Sequence, residues 1–103
     1  MSERMIAEQL VKFGLPYKYD TVLNLNYSTV SPDFVIINPF NGQTFVWEQF
    51  GAFHDLKYTD QMNDKMDAYL QQGYIEGVHL ITTFEYHLRN LERVRALIRQ
   101  VIL

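Results

Sequence analysis

The sequence predicts an α+β domain, a mixed sheet with a central β-hairpin flanked by helices. Three observations carry that expectation. A Val- and Ile-rich run at Ser31–Asn38 and a second strand at Gln43–Phe50 bracket Pro39-Phe40-Asn41-Gly42, whose Asn-Gly pair is a strong hairpin signal. After Gly51 the apolar period lengthens from two residues to that of a helix. An apolar run at Val78–Phe84 then returns before a second helical stretch, and this order of elements suits helices layered on a sheet.

Taken in order, residues 3–13 read as a helix with Ser2 as N-cap and Ile6, Leu10 and Phe13 on one side. Gly14 and Pro16 stop it. From Tyr17 to Asn26 the pattern alternates, with Tyr17, Tyr19, Thr21, Leu23 and Leu25 sharing a face, as in a half-buried strand. The two hairpin strands follow. Asp55 is placed to cap a helix from about Leu56 to Gln72, which Gly73 closes. Val78–Phe84 lacks polar alternation, which predicts a strand in the middle of the sheet. The last seventeen residues form an amphipathic helix with Leu91, Val94, Ile98, Val101 and Ile102 inward.

At 103 residues the chain is shorter than a typical domain of ~150, so a single domain, residues 1–103, is expected. Hydrophobic residues at 48% and charged residues at 20% describe a globular chain and exclude disorder. A net charge of −3 gives no bulk attraction for a polyanion, so such a partner must be met by a local patch or a bound metal. The absence of cysteine excludes disulfides, thiolate zinc sites and thiol nucleophiles. No apolar run approaches ~18 residues and no signal core opens the chain, so a cytoplasmic, non-membrane protein is expected.

Chemistry is sought where polar residues stand at apolar positions. Asp33 and Glu48 are two such positions, one on each hairpin strand. A four-residue loop sets Asn38 against Gln43 and Asp33 directly opposite Glu48. A two-residue Asn41-Gly42 turn makes the acids diagonal neighbours instead. Either register leaves both on one face, with Cβ atoms ~4.5–5.5 Å apart directly or ~7–8 Å diagonally. Carboxylates held that close repel unless neutralised, and oxygen ligands suit Mg²⁺, Mn²⁺ or Ca²⁺. The bland alternative is a solvated acidic face. Lys65 falls inside the stripe formed by Tyr58, Met62, Met66 and Tyr69, while Asp60, Asp64 and Asp67 take the far side. It either snorkels past the core edge or aims at the acids. Glu3 shares the inward face of the first helix, where the helix dipole is a sufficient explanation. His54, His79 and His87 show no ligand spacing, Trp47 faces away from Glu48, and Arg89, Arg93, Arg95 and Arg99 read mainly as a solvated helix face.

These residues resemble a known family. Leu15-Pro16-Tyr17-Lys18-Tyr19, Pro32-Asp33-Phe34 and Trp47-Glu48-Gln49-Phe50-Gly51, in that order, are similar to the PD-(D/E)XK nuclease superfamily. They more closely resemble a bacterial subgroup with Pro-Asp-Phe and Trp-Glu-His-Phe-Gly motifs. The likeness runs from Ser2-Glu3 to Leu80–Glu85, nearly the whole chain. It implies a restriction-endonuclease-like αβββαβα core, and a unit excised from a larger protein would fit it. It also implies a Mg²⁺- or Mn²⁺-dependent phosphodiesterase acting on nucleic acid, DNA ahead of RNA, with Asp33 and Glu48 as metal ligands. The backbone carbonyl of Gln49 would add a third ligand, and Glu3 resembles the first-helix acid that assists the site. The family's lysine, two residues after the acid, is here Phe50, and Lys65 stands where a migrated lysine would lie. The alternative is a non-catalytic member of the fold serving nucleic-acid binding or assembly. The oligomeric state stays open, with a homodimer among the options.

Overall fold

The computed structural model describes residues 2–25, 29–51, 56–85 and 90–103, with side chains omitted at Ser2 and residues 56–58. The expected cap Asp55 and the residues His54, His87 and Arg89 lie outside the described residues, as does the side chain of Tyr58. The elements are α1 (Ser2–Lys12), β1 (Tyr17–Tyr19), β2 (Leu23–Asn24), β3 (Thr29–Val30), β4 (Phe34–Ile37), β5 (Thr44–Phe50), α2 (Leu56–Gln71), β6 (Leu80–Phe84) and α3 (Leu91–Leu97). A π-helical turn, Ile98–Ile102, continues α3. The expected α+β class holds: a mixed sheet in the order β1-β4-β5-β6 is flanked by helices.

β1, β4 and β5 are antiparallel neighbours, and β6 joins β5 in parallel after the α2 crossover. Because side chains alternate across a strand, β5 and β6 each feed two cores. Phe34, Ile36, Phe45, Trp47 and Ile81 pack with Ile6 and Leu10 of α1 and with Val94, Ile98 and Ile102. On the other face Val46 and Leu80 meet Tyr69 and Met66 of α2. α1 and α2 both stop where the sequence indicates. Gly14 and Gly73 have φ of 70° and 93°, and the amides of Leu15 and Tyr74 reach back to the Leu10 and Tyr69 carbonyls at 2.9 Å, as in a Schellman cap.

Three expectations are corrected. The strand foreseen over Tyr17–Asn26 breaks at Asp20, whose φ is 52°; aspartate tolerates that left-handed conformation better than most side chains. The chain then leaves the main sheet, and β2 pairs with β3 in a separate two-stranded ribbon. Tyr17 therefore packs on the α1 side, whereas Leu23, Leu25 and Val30 pack on the α2 side. The foreseen Ser31–Asn38 strand shortens to β4, and Asp33 sits at the bend just before it. Finally, β6 is an edge strand rather than a central one. Its apolar character has another cause, since Leu80 and Ile81 are buried in opposite cores.

Candidate functional site

The hairpin closes with a four-residue loop. The Asn38 amide donates to the Gln43 carbonyl at 2.9 Å and the Gly42 amide to the Asn38 carbonyl at 2.8 Å. Phe34 therefore pairs with Trp47, and the direct register, not the diagonal one, brings Asp33 to Glu48. Glu48 lies between Val46 and Phe50 on the α2 face of β5 and is wholly buried. Its Oε1 accepts from the Asp33 amide at 2.9 Å, and Asp33 Oδ2 accepts from the Gln49 amide at 2.6 Å. Each carboxylate thus satisfies a backbone donor on the neighbouring strand where the ladder ends.

Lys65 comes from α2, one turn before Tyr69. Its Nζ contacts Glu48 Oε2 at 2.6 Å and directs a hydrogen bond to the Ser31 carbonyl at 3.1 Å. Of the two readings of this lysine, the structure selects the one aimed at the acids. The ribbon β2–β3 matters here, because it sets Ser31 and Asp33 at its exit. The Tyr69 hydroxyl is buried beside Glu48 and has no well-formed hydrogen bond. Asp33, Glu48 and Lys65 line a cleft of about 230 Å³ with Phe50, Gln61 and Met62.

Electrostatically the site is under tension. Burial raises the Asp33 carboxyl to about 6; the Gln49 amide pulls it down, and the neighbouring Glu48 charge pushes it further up. Burial also raises Glu48, and the Lys65 ammonium offsets this only in part. Burial raises the Tyr69 hydroxyl, with the Glu48 charge acting in the same direction. When both acids are ionised, two carboxylates face one ammonium, and the site is one positive charge short.

Not every sequence-predicted residue reaches this cleft. Glu3 does not line the cleft, since it accepts a hydrogen bond from the Tyr19 hydroxyl and lines a neighbouring recess, but its charge acts on Asp33 and pushes that carboxyl further up. Gln49 does line the cleft, but the group it turns to Asp33 is its amide N–H, and its side chain faces the other core, where Thr83 donates to its Oε1. Trp47, fully buried, donates to Thr83 Oγ1 at 3.0 Å, so it packs and anchors. His79 stands edge-on to Tyr74. Arg95 is tied to Gln9 and Glu92, and Arg99 approaches Glu92, which accounts for much of the basic face of α3. Sequence reasoning took Tyr69 for an apolar stripe residue and missed its hydroxyl; its i+4 spacing from Lys65 was the available signal.

Among the described residues no group of three or more His, Cys, Asp or Glu side chains gathers as a metal cluster. Mg²⁺, however, is commonly held by one or two carboxylates with waters and substrate phosphate completing its shell. Asp33 and Glu48 therefore fit a hard divalent cation in donor type and number. Among the described residues no helix is long and apolar enough to cross a membrane. No protein-family model matches the chain, and no curated protein shows significant similarity to it.

Proposed function

We propose that the chain is a Mg²⁺- or Mn²⁺-dependent phosphodiesterase of the PD-(D/E)XK kind that hydrolyses nucleic acid, DNA ahead of RNA, and that its sheet and helices form the restriction-endonuclease-like core. One observation carries this reading: Asp33, Glu48 and Lys65, from three separate parts of the chain, converge in one cleft. Apolar residues would fill such a position at no electrostatic cost, since buried ion pairs seldom stabilise more than a well-packed apolar substitute. The strand order, with a parallel β6 reached through α2, supports the fold assignment.

In this reading Asp33 and Glu48 hold the cation, which when bound would polarise a phosphoryl oxygen and acidify a coordinated water. Lys65 supplies the positive charge that Phe50 cannot, stabilising charge that develops on the phosphate. Phe50 and Met62 give the cleft an apolar side, which strengthens that electrostatic contact.

A second reading, a non-catalytic nucleic-acid-binding or assembly module, draws on Phe50 at the usual lysine position and on Lys65 already engaging Glu48. The test is cleavage of single- and double-stranded DNA and RNA in Mg²⁺, Mn²⁺ and EDTA. Metal-dependent cleavage, abolished in Asp33→Asn and reduced about 10²-fold in folded Lys65→Met, is expected. Absence of both cleavage and metal-induced stabilisation in the wild type would leave the non-catalytic reading.

A further inference from the structure

A second recess lies on the α1 face of the sheet, between α1 and β1. It has a volume of about 420 Å³ and is lined by Glu3, Arg4, Ala7, Tyr17, Tyr19 and Phe34, which puts it within the ~300–1,000 Å³ range of small-molecule sites. Its walls are rings held in place. Phe34 forms the buried floor, with Tyr17 edge-on to it at 5.5 Å and Tyr19 tilted against it at 5.4 Å. Tyr19 is 53% exposed, yet its ring is fixed at the far end, because its hydroxyl donates to Glu3 Oε2. Ala7 leaves the space that a larger helix residue would fill.

We infer that this recess takes one unstacked nucleobase of a single-stranded nucleic acid, lying against Tyr19, with an exocyclic amino group donated to Glu3. The inference rests on reading the neighbouring cleft as a phosphodiester site. The two lie on opposite faces of the sheet but meet near its end: Tyr19 pairs with Phe34, the residue after Asp33, the Asp20 amide donates to the Asp33 carbonyl at 3.1 Å, and the Glu3 charge acts on the Asp33 carboxyl. A strand with one base at Tyr19 would run its backbone past the end of the sheet, where Asp33 stands.

Three features select this occupant. Aromatic side chains bind bases through their π-faces without regard to sequence. The acceptor on the recess wall is a carboxylate, which repels phosphate but accepts from the amino groups of cytosine, adenine or guanine. Among the described residues only Oε2 of Glu3 is engaged, so Oε1 remains to receive that amine. Arg4 at the rim is already paired with Glu8 at 3.2 Å, which argues against a phosphate pocket at this position. A base within a duplex is covered on both faces and cannot enter, so the recess favours single strands or flipped-out nucleotides.

Fluorescence anisotropy in EDTA, where metal-dependent cleavage is blocked, tests this with short oligodeoxycytidylate, oligothymidylate, an abasic strand and a duplex. Oligodeoxycytidylate should bind more tightly than the other three. Tyr19→Ala should weaken that binding about tenfold, Tyr19→Phe should retain it, and Glu3→Gln should narrow the preference for cytosine over thymine. The comparison of cytidylate with the abasic strand uses wild-type protein and stands even if Tyr19→Ala fails to fold. Equal binding of the abasic strand, preference for duplex, or an unchanged folded Tyr19→Ala would overturn the inference. Metal-dependent cleavage with Tyr19-independent binding would remove the base site and leave the phosphodiesterase. Tyr19-dependent binding without cleavage would keep the base site and remove the phosphodiesterase.

Discussion

Burial and pairing act against each other at Asp33 and Glu48, and the balance has a direction in pH. Asp33 ordinarily titrates at 3.8 and in the fold at about 6, so folding disfavours its ionised form. That penalty is absent below the ordinary value, grows as pH rises through the window, and is complete above about 6. Metal-free wild-type protein should therefore lose stability between pH 4 and 7 relative to Asp33→Asn, read from urea midpoints at each pH. Equal slopes would show that the carboxyl is not held in the buried setting described. Lys65→Met removes the ammonium at Glu48 Oε2 and leaves the buried carboxylate with the Asp33 amide but no counter-charge. It should cost about 1–3 kcal/mol at pH 7 and less in acid, where Glu48 takes up a proton. A loss that does not vary with pH would point to packing instead.

Among the elements, α2 carries the most consequence for the site, because it delivers Lys65, Met62 and Tyr69 to one face. Its end is set by Gly73 at φ 93°, where an added Cβ would meet no atom within 4 Å. Gly73→Ala should thus cost about 1–2 kcal/mol from backbone conformation alone, measured by denaturant unfolding; a neutral result would mean the cap rearranges freely. The alternation from Tyr17 to Leu25 was a true strand signal read across a break. The period of two survives on both sides of Asp20, but the face it marks switches from the α1 core to the α2 core. A single left-handed residue does this, and aspartate gives weak warning of it. Likewise the apolar run of β6 reports cover on both faces, which an edge strand can have as readily as a central one.

Across the molecule, the hairpin tip and the C-terminal turn are joined by one buried amide. Asn38 donates through Nδ2 to the Ile102 carbonyl at 2.8 Å, while its Oδ1 accepts from the Phe40 amide at 2.8 Å. Ile98 and Ile102 belong to the α1-side core, so this contact fastens the last helical turn to the sheet. Asn38→Ala should cost about 1–3 kcal/mol by stranding the partners of both bonds. The melting temperature should fall by about 4–8 °C for each kcal/mol lost. An unchanged melting curve would show that water replaces the amide without penalty.

Helix and strand identity, the Gly14 and Gly73 stops, and the common face of Asp33 and Glu48 were all legible in the chain, because each depends on local period or turn chemistry. The Asn-Gly loop left two registers, and both satisfied the same parity; packing of Phe34 and Trp47 into one core accompanies the direct one. Lys65 was legible as an anomaly in an apolar stripe, but its contact with Glu48 was not, since the seventeen residues of chain from one to the other can be closed in many ways. The distance between two elements far apart in sequence is set by the side chains packed between them, here Val46, Met66 and Tyr69 against the β2–β3 ribbon. The same holds for the recess at Tyr19 and Glu3: neither residue marks a pocket alone, and the pocket exists because α1 crosses β1 with Ala7 at the gap.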